Sequence, residues 1–95
     1  MIIVQDTFVC KPGNASKLAK LFKEVMDGRP EVVNIMSDMT GSFNRVVVVT
    51  RHDSLTAYEK SWDSMSQEES QKMQEKMKGY TEMYQSGSRE IFQVW

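Results

Sequence analysis

Cysteine and histidine each occur once in this chain of 95 residues, as Cys10 and His52, and proline occurs only twice. A lone cysteine cannot form an intrachain disulfide, and its free thiol suits a reducing compartment, which makes the cytoplasm the expected location. One histidine and one cysteine this far apart match no zinc-binding spacing, so no metal is expected. The five glycines are scattered. None forms the spaced cluster that cradles a phosphate, so no nucleotide or other cofactor is expected. Positive charge is not in excess either: 12 Lys and Arg against 13 Asp and Glu give a net charge of -1. Neither nucleic acid nor an anionic membrane surface is drawn to such a balance. No window reaches the roughly 18 consecutive apolar residues of a spanning helix. The apolar start from Met1 to Val4 meets Asp6 before it could become a signal-peptide core, so secretion is not expected.

What is present describes an ordinary globular domain. Hydrophobic residues make up 40% of the chain and charged residues 26%, which is enough apolar material for one core and too little length for two. Residues 1–95 are read as a single domain.

Ile2, Ile3, Val4, Phe8 and Val9 lie among few breakers and stop at Lys11, Pro12 and Gly13, which is a first strand followed by a turn. Asn14 is the expected cap of a helix in which Leu18, Leu21, Phe22, Val25 and Met26 recur on one face. Lys17, Lys20 and Lys23 occupy its solvent side, and Gly28 and Pro30 end it. Residues 31–40 and 44–52 then form two apolar runs around a short loop containing Gly41, the pattern of an antiparallel hairpin. After an Asp53 or Ser54 cap, Leu55, Tyr58, Trp62 and Met65 share a helical face. Ser66 and Glu69 have the spacing of a capping box that starts a further helical segment. That segment is expected to carry Met73, Met77, Tyr80 and Tyr84 on one side and to close at Gly87, before a terminal strand over residues 90–95.

The order is β-α-β-β-α-β. Right-handed crossovers put both helical regions on one face of a four-stranded antiparallel sheet, an α+β ferredoxin-like arrangement. The other face has no cover within the chain, yet both phases of several strands are apolar: Val46 and Val48 against Val47 and Val49, Ile91 and Trp95 against Phe92 and Val94, Val33 and Ile35 against Val32 and Met36. A sheet wetted on one side alternates apolar with polar instead. A homodimer burying the uncovered face is therefore expected.

Four stretches together resemble the NIPSNAP-like branch of the dimeric α/β-barrel superfamily, which also contains the antibiotic-biosynthesis monooxygenases. They are Lys11 to Gly13 before the first helix, Gly41 to Val49 in the hairpin, Asp53 to Leu55 before the second helix, and Arg89 to Phe92 at the close. The resemblance implies a barrel of two facing sheets with helices outside. It also implies a cavity between sheet and helices, where some relatives bind small hydrophobic molecules. Asn44 and Arg45 are the polar residues carried over from the hairpin stretch, as ligand-contacting positions to which the resemblance assigns no catalytic role.

The residues themselves suggest where a ligand would touch. Tyr58, Trp62, Tyr80 and Tyr84, with Met26, Met65, Met73 and Met77, are placed to line the space beneath the helices, and polar-edged aromatics with adaptable methionines suit an apolar ligand. Core packing is the plainer reading of the same stripe. Trp62 is singled out because a full indole is awkward to bury in so small a core. His52 beside Asp53 offers an acid or base, although Asp53 is equally a helix cap. Asp6 and Asp38 interrupt apolar phases of their strands. Each could be a carboxylate facing a dry cavity, or simply one member of an ion pair with Arg45, Arg51 or a partner chain. Cys10 reads as a small buried hydrophobe.

Two functions remain open at this level. The chain is either a binding dimer holding a small apolar metabolite, contacted by Trp62, Tyr58, His52, Asn44, Arg45 and Asp38, or a cofactor-independent monooxygenase acting on an electron-rich aromatic or quinol substrate.

Overall fold

The computed structural model describes residues 1–41, 43–63 and 67–95. The capping-box serine Ser66 and the helical Met65 lie outside the described residues. The elements are β1 (Ile2–Cys10), α1 (Ala15–Val25), β2 (Val32–Ser37), β3 (Arg45–His52), α2 (Leu55–Asp63), α3 (Gln67–Lys76), a single 3-10 turn (Tyr80–Glu82) and β4 (Tyr84–Gln93). Together they make an α+β ferredoxin-like fold, in which the second helical region is two consecutive helices. The sheet is antiparallel with strand order β2-β3-β1-β4. Its shortest dimension, 21 Å, is that of one sheet plus one helical layer.

Alternation along the strands decides which residues form the core. Val46 and Val48 of β3 are buried with Cys10 against Leu18 and Phe22 of α1, Val4 is buried further along β1, and Leu18, Val4 and Val46 are fully closed off from solvent. Phe22 meets Phe8 at 5.0 Å between ring centroids, and Phe8 meets Tyr84 edge-on at 5.1 Å. Val47 and Val49 point to the opposite, uncovered face. Met36 and Phe92 pair on that side with Val47 and Ile3 and are 43% and 48% exposed. A bulge between Val32 and Asn34 changes the phase of β2. It sends Val32, rather than Val33, to the helix side with Ile35, because one extra residue reverses which face each side chain takes.

Two local expectations need correction. Asn14 makes no side-chain cap: its backbone is already helical, and its carbonyl accepts from Leu18 N–H at 2.9 Å. Ser54 does cap α2, its hydroxyl accepting from Ala57 N–H at 3.1 Å. The largest departure is at β4. Tyr84 is the first residue of a ten-residue strand instead of the end of a helical stripe, and Gly87 sits inside that strand, opposite Phe8. The polar run from Gln85 to Arg89 has little strand propensity of its own. It extends because β1 offers an unbroken edge of backbone donors and acceptors, which outweighs local preference.

Candidate functional site

The hairpin separates the candidate residues. Arg45 begins β3 and His52 ends it, so they stand about 23 Å apart along the strand. Asp38 and Asn44 belong to the Arg45 end, whereas Tyr58 and Trp62 belong to the His52 end. One small ligand cannot reach both groups.

At the Arg45 end, β2 stops at Ser37 because the Asp38 carboxylate turns onto the start of β3. Its two oxygens accept from the Arg45 backbone N–H at 3.2 Å and from Arg45 Nε at 3.0 Å. The hydrogen bond from the Arg45 side chain is the main cause holding the Asp38 carboxyl below its usual pKa. The carboxylate is thereby a hairpin clasp, the paired alternative weighed for it in the sequence. Phe43 and Asn44 continue the turn at φ 66° and 59°. A shallow cavity of about 260 Å³ lies between this loop and the start of α1, lined by Ala15, Ser16, Asp38, Phe43 and Asn44 among others. Cys10, just beneath, is buried, and burial followed by the nearby Asp38 charge pushes its thiol pKa up. It has the character of a core residue.

At the His52 end the geometry is more concentrated. A cavity of about 110 Å³ lies between the sheet and the helices, with Met26, Val32, Val48, His52, Tyr58 and Trp62 in its wall and Asp6, Arg29, Glu31, Thr50, Ser61 and Met73 completing it. Tyr58 and Trp62, one helical turn apart, hold their rings at 6.1 Å and nearly perpendicular. The His52 ring packs edge-on to Tyr58 at 4.9 Å, and its Nε2 lies 3.1 Å from the Thr50 hydroxyl. Over both aromatic faces sits Arg89 of β4, with Cζ 5.9 Å from the Tyr58 ring centre and 5.7 Å from that of Trp62. Such cation–π stacking keeps a guanidinium in place at a half-exposed site. Asp6 anchors it further, accepting from Arg89 Nε at 2.6 Å. That hydrogen bond is the chief reason the Arg89 pKa rises above its ordinary value. A second pair, Arg29 with Glu31 at 3.5 Å, lies in the same wall.

Of the aromatic and methionine stripe expected to line this space, Tyr58, Trp62, Met26 and Met73 do so. Met77, Tyr80 and Tyr84 pack instead against the core beneath α1. Sequence reasoning missed Arg89 as a site residue and left Asp6 without its partner. The signal was Asp6 itself, a carboxylate on an apolar strand phase. Its partner became visible only through the β1–β4 register, which places Arg89 directly across from it. Among the described residues no group of three or more His, Cys, Asp or Glu is placed to hold a metal ion.

No protein-family model matches the chain, and no curated protein does so by sequence. Solved structures share its fold. A NIPSNAP family protein from Agrobacterium tumefaciens superposes with a TM-score of 0.82 at 14% identity, over 99% of this chain and 85% of that one. An uncharacterised NIPSNAP domain protein from Burkholderia xenovorans gives 0.79 at 10% identity, over 100% of this chain and 95% of that one. A candidate antibiotic biosynthesis monooxygenase from Deinococcus radiodurans gives 0.63 at 9% identity, over 100% and 93%. The fold of this chain is thus the ferredoxin-like one shared by NIPSNAP domain proteins and antibiotic-biosynthesis-monooxygenase-like proteins.

Proposed function

We propose that this protein is a homodimer that binds a small apolar metabolite in the cavity between its sheet and its helices. The observation that carries this reading is the convergence of Tyr58, Trp62 and His52 with Met26, Val32 and Val48 around one opening. Concave, mostly apolar walls with a few polar atoms are the usual setting of a small-molecule site. Dimerisation is supported by the sheet face turned away from the helices, where Met36 lies beside Val47 at one edge and Phe92 beside Ile3 at the other. Exposed apolar side chains on a sheet face mark an interaction site.

A monooxygenase-like activity has weaker support. Of its titratable candidates, Asp38 lies at the far end of β3 from His52 and is committed to Arg45, and Asp6, in the same wall as His52, is committed to Arg89.

Binding is tested with toluene, followed through the side-chain methyl NMR signals of Met26 and Met73. Both signals shift on titration, and Met26→Trp, which fills the cavity, removes the response at Met73. Unmoved methyl signals at saturating toluene overturn the binding reading. Sedimentation at micromolar concentration tests the dimer separately, with a mass of twice 11.0 kDa expected and a monomeric mass for Val47→Glu.

A further inference from the structure

The sheet face turned away from the helices carries few charges. Val4 and Val48 are buried on the helix side, so alternation turns Ile3 and Gln5 of β1, Val49 and Arg51 of β3, and Glu90 and Phe92 of β4 to the other side. Among the described residues of the four strands, Arg45, Arg51 and Glu90 are the charged side chains of that phase. Arg45 is held by Asp38 at the hairpin. Arg51 and Glu90 are exposed, and neither side chain has an ion-pair or hydrogen-bond partner among the described residues. One cation and one anion are thus left free on the same face.

Strand register fixes where they stand. Ile3 pairs with Arg51 on one side and Phe92 on the other, and Gln5 pairs with Val49 and Glu90. Arg51 and Glu90 are therefore diagonal corners of a patch centred on β1 between Ile3 and Gln5. Strands about 4.8 Å apart and a two-residue step of about 6.8 Å put their Cα atoms about 12 Å from each other. Such a patch is complementary to itself. In an isologous interface residue i meets residue j of the partner while j meets i, so a two-fold axis lying over the centre of the patch, parallel to the sheet, sets each cation against the other copy's anion. A different partner would have to supply one charge of each sign at the same spacing. A second copy of this chain has them already, and the same half-turn brings the apolar Ile3 and Phe92 against the partner's face between the charges.

Resting on the homodimer proposed above, we infer that the two copies pack these sheet faces together with Arg51 of each subunit paired to the partner's Glu90, two equivalent ion pairs flanking a centre made by Ile3 and Phe92. The pairing gives the dimer its register, because any other placement of the two faces covers a charge without matching it, and an unmatched covered charge opposes association.

Sedimentation and native mass spectrometry of four samples test the pairing: the parent protein, Arg51→Glu, Glu90→Arg, and a 1:1 mixture of the two variants. The parent is a dimer. Each single reversal sets like charges against one another at both pairs, and the dimer dissociation constant rises about tenfold or more. In the mixture a subunit with two carboxylates faces a subunit with two cations, so heterodimers form with an affinity close to that of the parent. Their mass lies between those of the two homodimers, which identifies them, and their formation shows that both variants fold. A pair closed within one chain could not be restored by mixing. A parent dimer that both reversals leave equally tight, or a mixture that yields no heterodimer, overturns the pairing while the dimer itself stands. A monomeric parent overturns the dimer and this inference with it.

Discussion

Asp6 and Arg89, 83 residues apart in sequence, meet at 2.6 Å across the β1–β4 pairing, and the guanidinium so held covers the rings of Tyr58 and Trp62. The pair ties the edge strand to the helical layer at the mouth of the cavity. Arg89 is half exposed, so solvent screens the attraction. Asp6→Asn is expected to cost about 1 kcal/mol or less in urea unfolding. Arg89→Met costs a similar amount and changes the Trp62 emission as well, since the cation leaves its ring.

Leu18 is fully buried among Phe22, Val46 and Val48. Leu18→Ala removes packed methyl groups that nothing in so thin a two-layer domain can replace, and about 3 kcal/mol of stability goes with them. Leu55→Ala, at a position 57% exposed, changes stability by about 0.5 kcal/mol or less. Chemical denaturation of the two variants side by side measures the contrast.

Gly41 has φ +112°, and a Cβ there would stand 2.6 Å from Arg45 Nη2. The arginine head can swing away, but the backbone angle cannot be relieved so easily. Gly41→Ala therefore lowers stability by about 1 kcal/mol or more. Phe43→Gly in the same loop is nearly neutral: relief of a left-handed φ at Phe43 offsets the extra chain entropy of a glycine, each about 1 kcal/mol. Thermal melts of both variants decide this.

Asp38 has a folded-state pKa below its ordinary 3.8, first because of the hydrogen bond from the Arg45 side chain. A depressed carboxylate pKa stabilises the fold while the group is ionised. That contribution is complete above the unfolded-state value and disappears as pH falls through the folded one. Asp38→Asn is expected to melt below the parent protein at pH 7, with the difference closing as pH drops below about 4. A gap that persists unchanged once the Asp38 carboxyl has been protonated, followed by its carboxyl-carbon NMR shift, would show that the charge is not what closes the hairpin.

The placement of the secondary structure was largely legible from local chemistry. Apolar residues at helical spacing from Leu18 to Met26, valines from Val46 to Val49 after Gly41, and the Ser54 cap each carry their own instruction within a few residues. The limits of β4 did not, because Tyr84 and Gly87 acquire strand geometry only by pairing with Cys10 and Phe8 of β1. The bulge at Val32–Asn34 escaped for the same reason: it is a property of two strands in register.

The site divides along the same line. Its ingredients, Tyr58, Trp62 and His52, stood out by type and spacing, and so did the Asp38, Asn44 and Arg45 group. That the two groups occupy opposite ends of β3 follows from the length of that strand, whereas the antiparallel register decided that Arg89 rather than any nearer arginine faces Asp6. Sequence alone determined which segments could be helix or strand and which faces they would hide, since those depend on neighbours within one or two turns of chain. The tertiary structure alone decided which charges meet and where the cavity lies. These depend on contacts between residues far apart in the chain, whose partners are chosen only when the sheet closes.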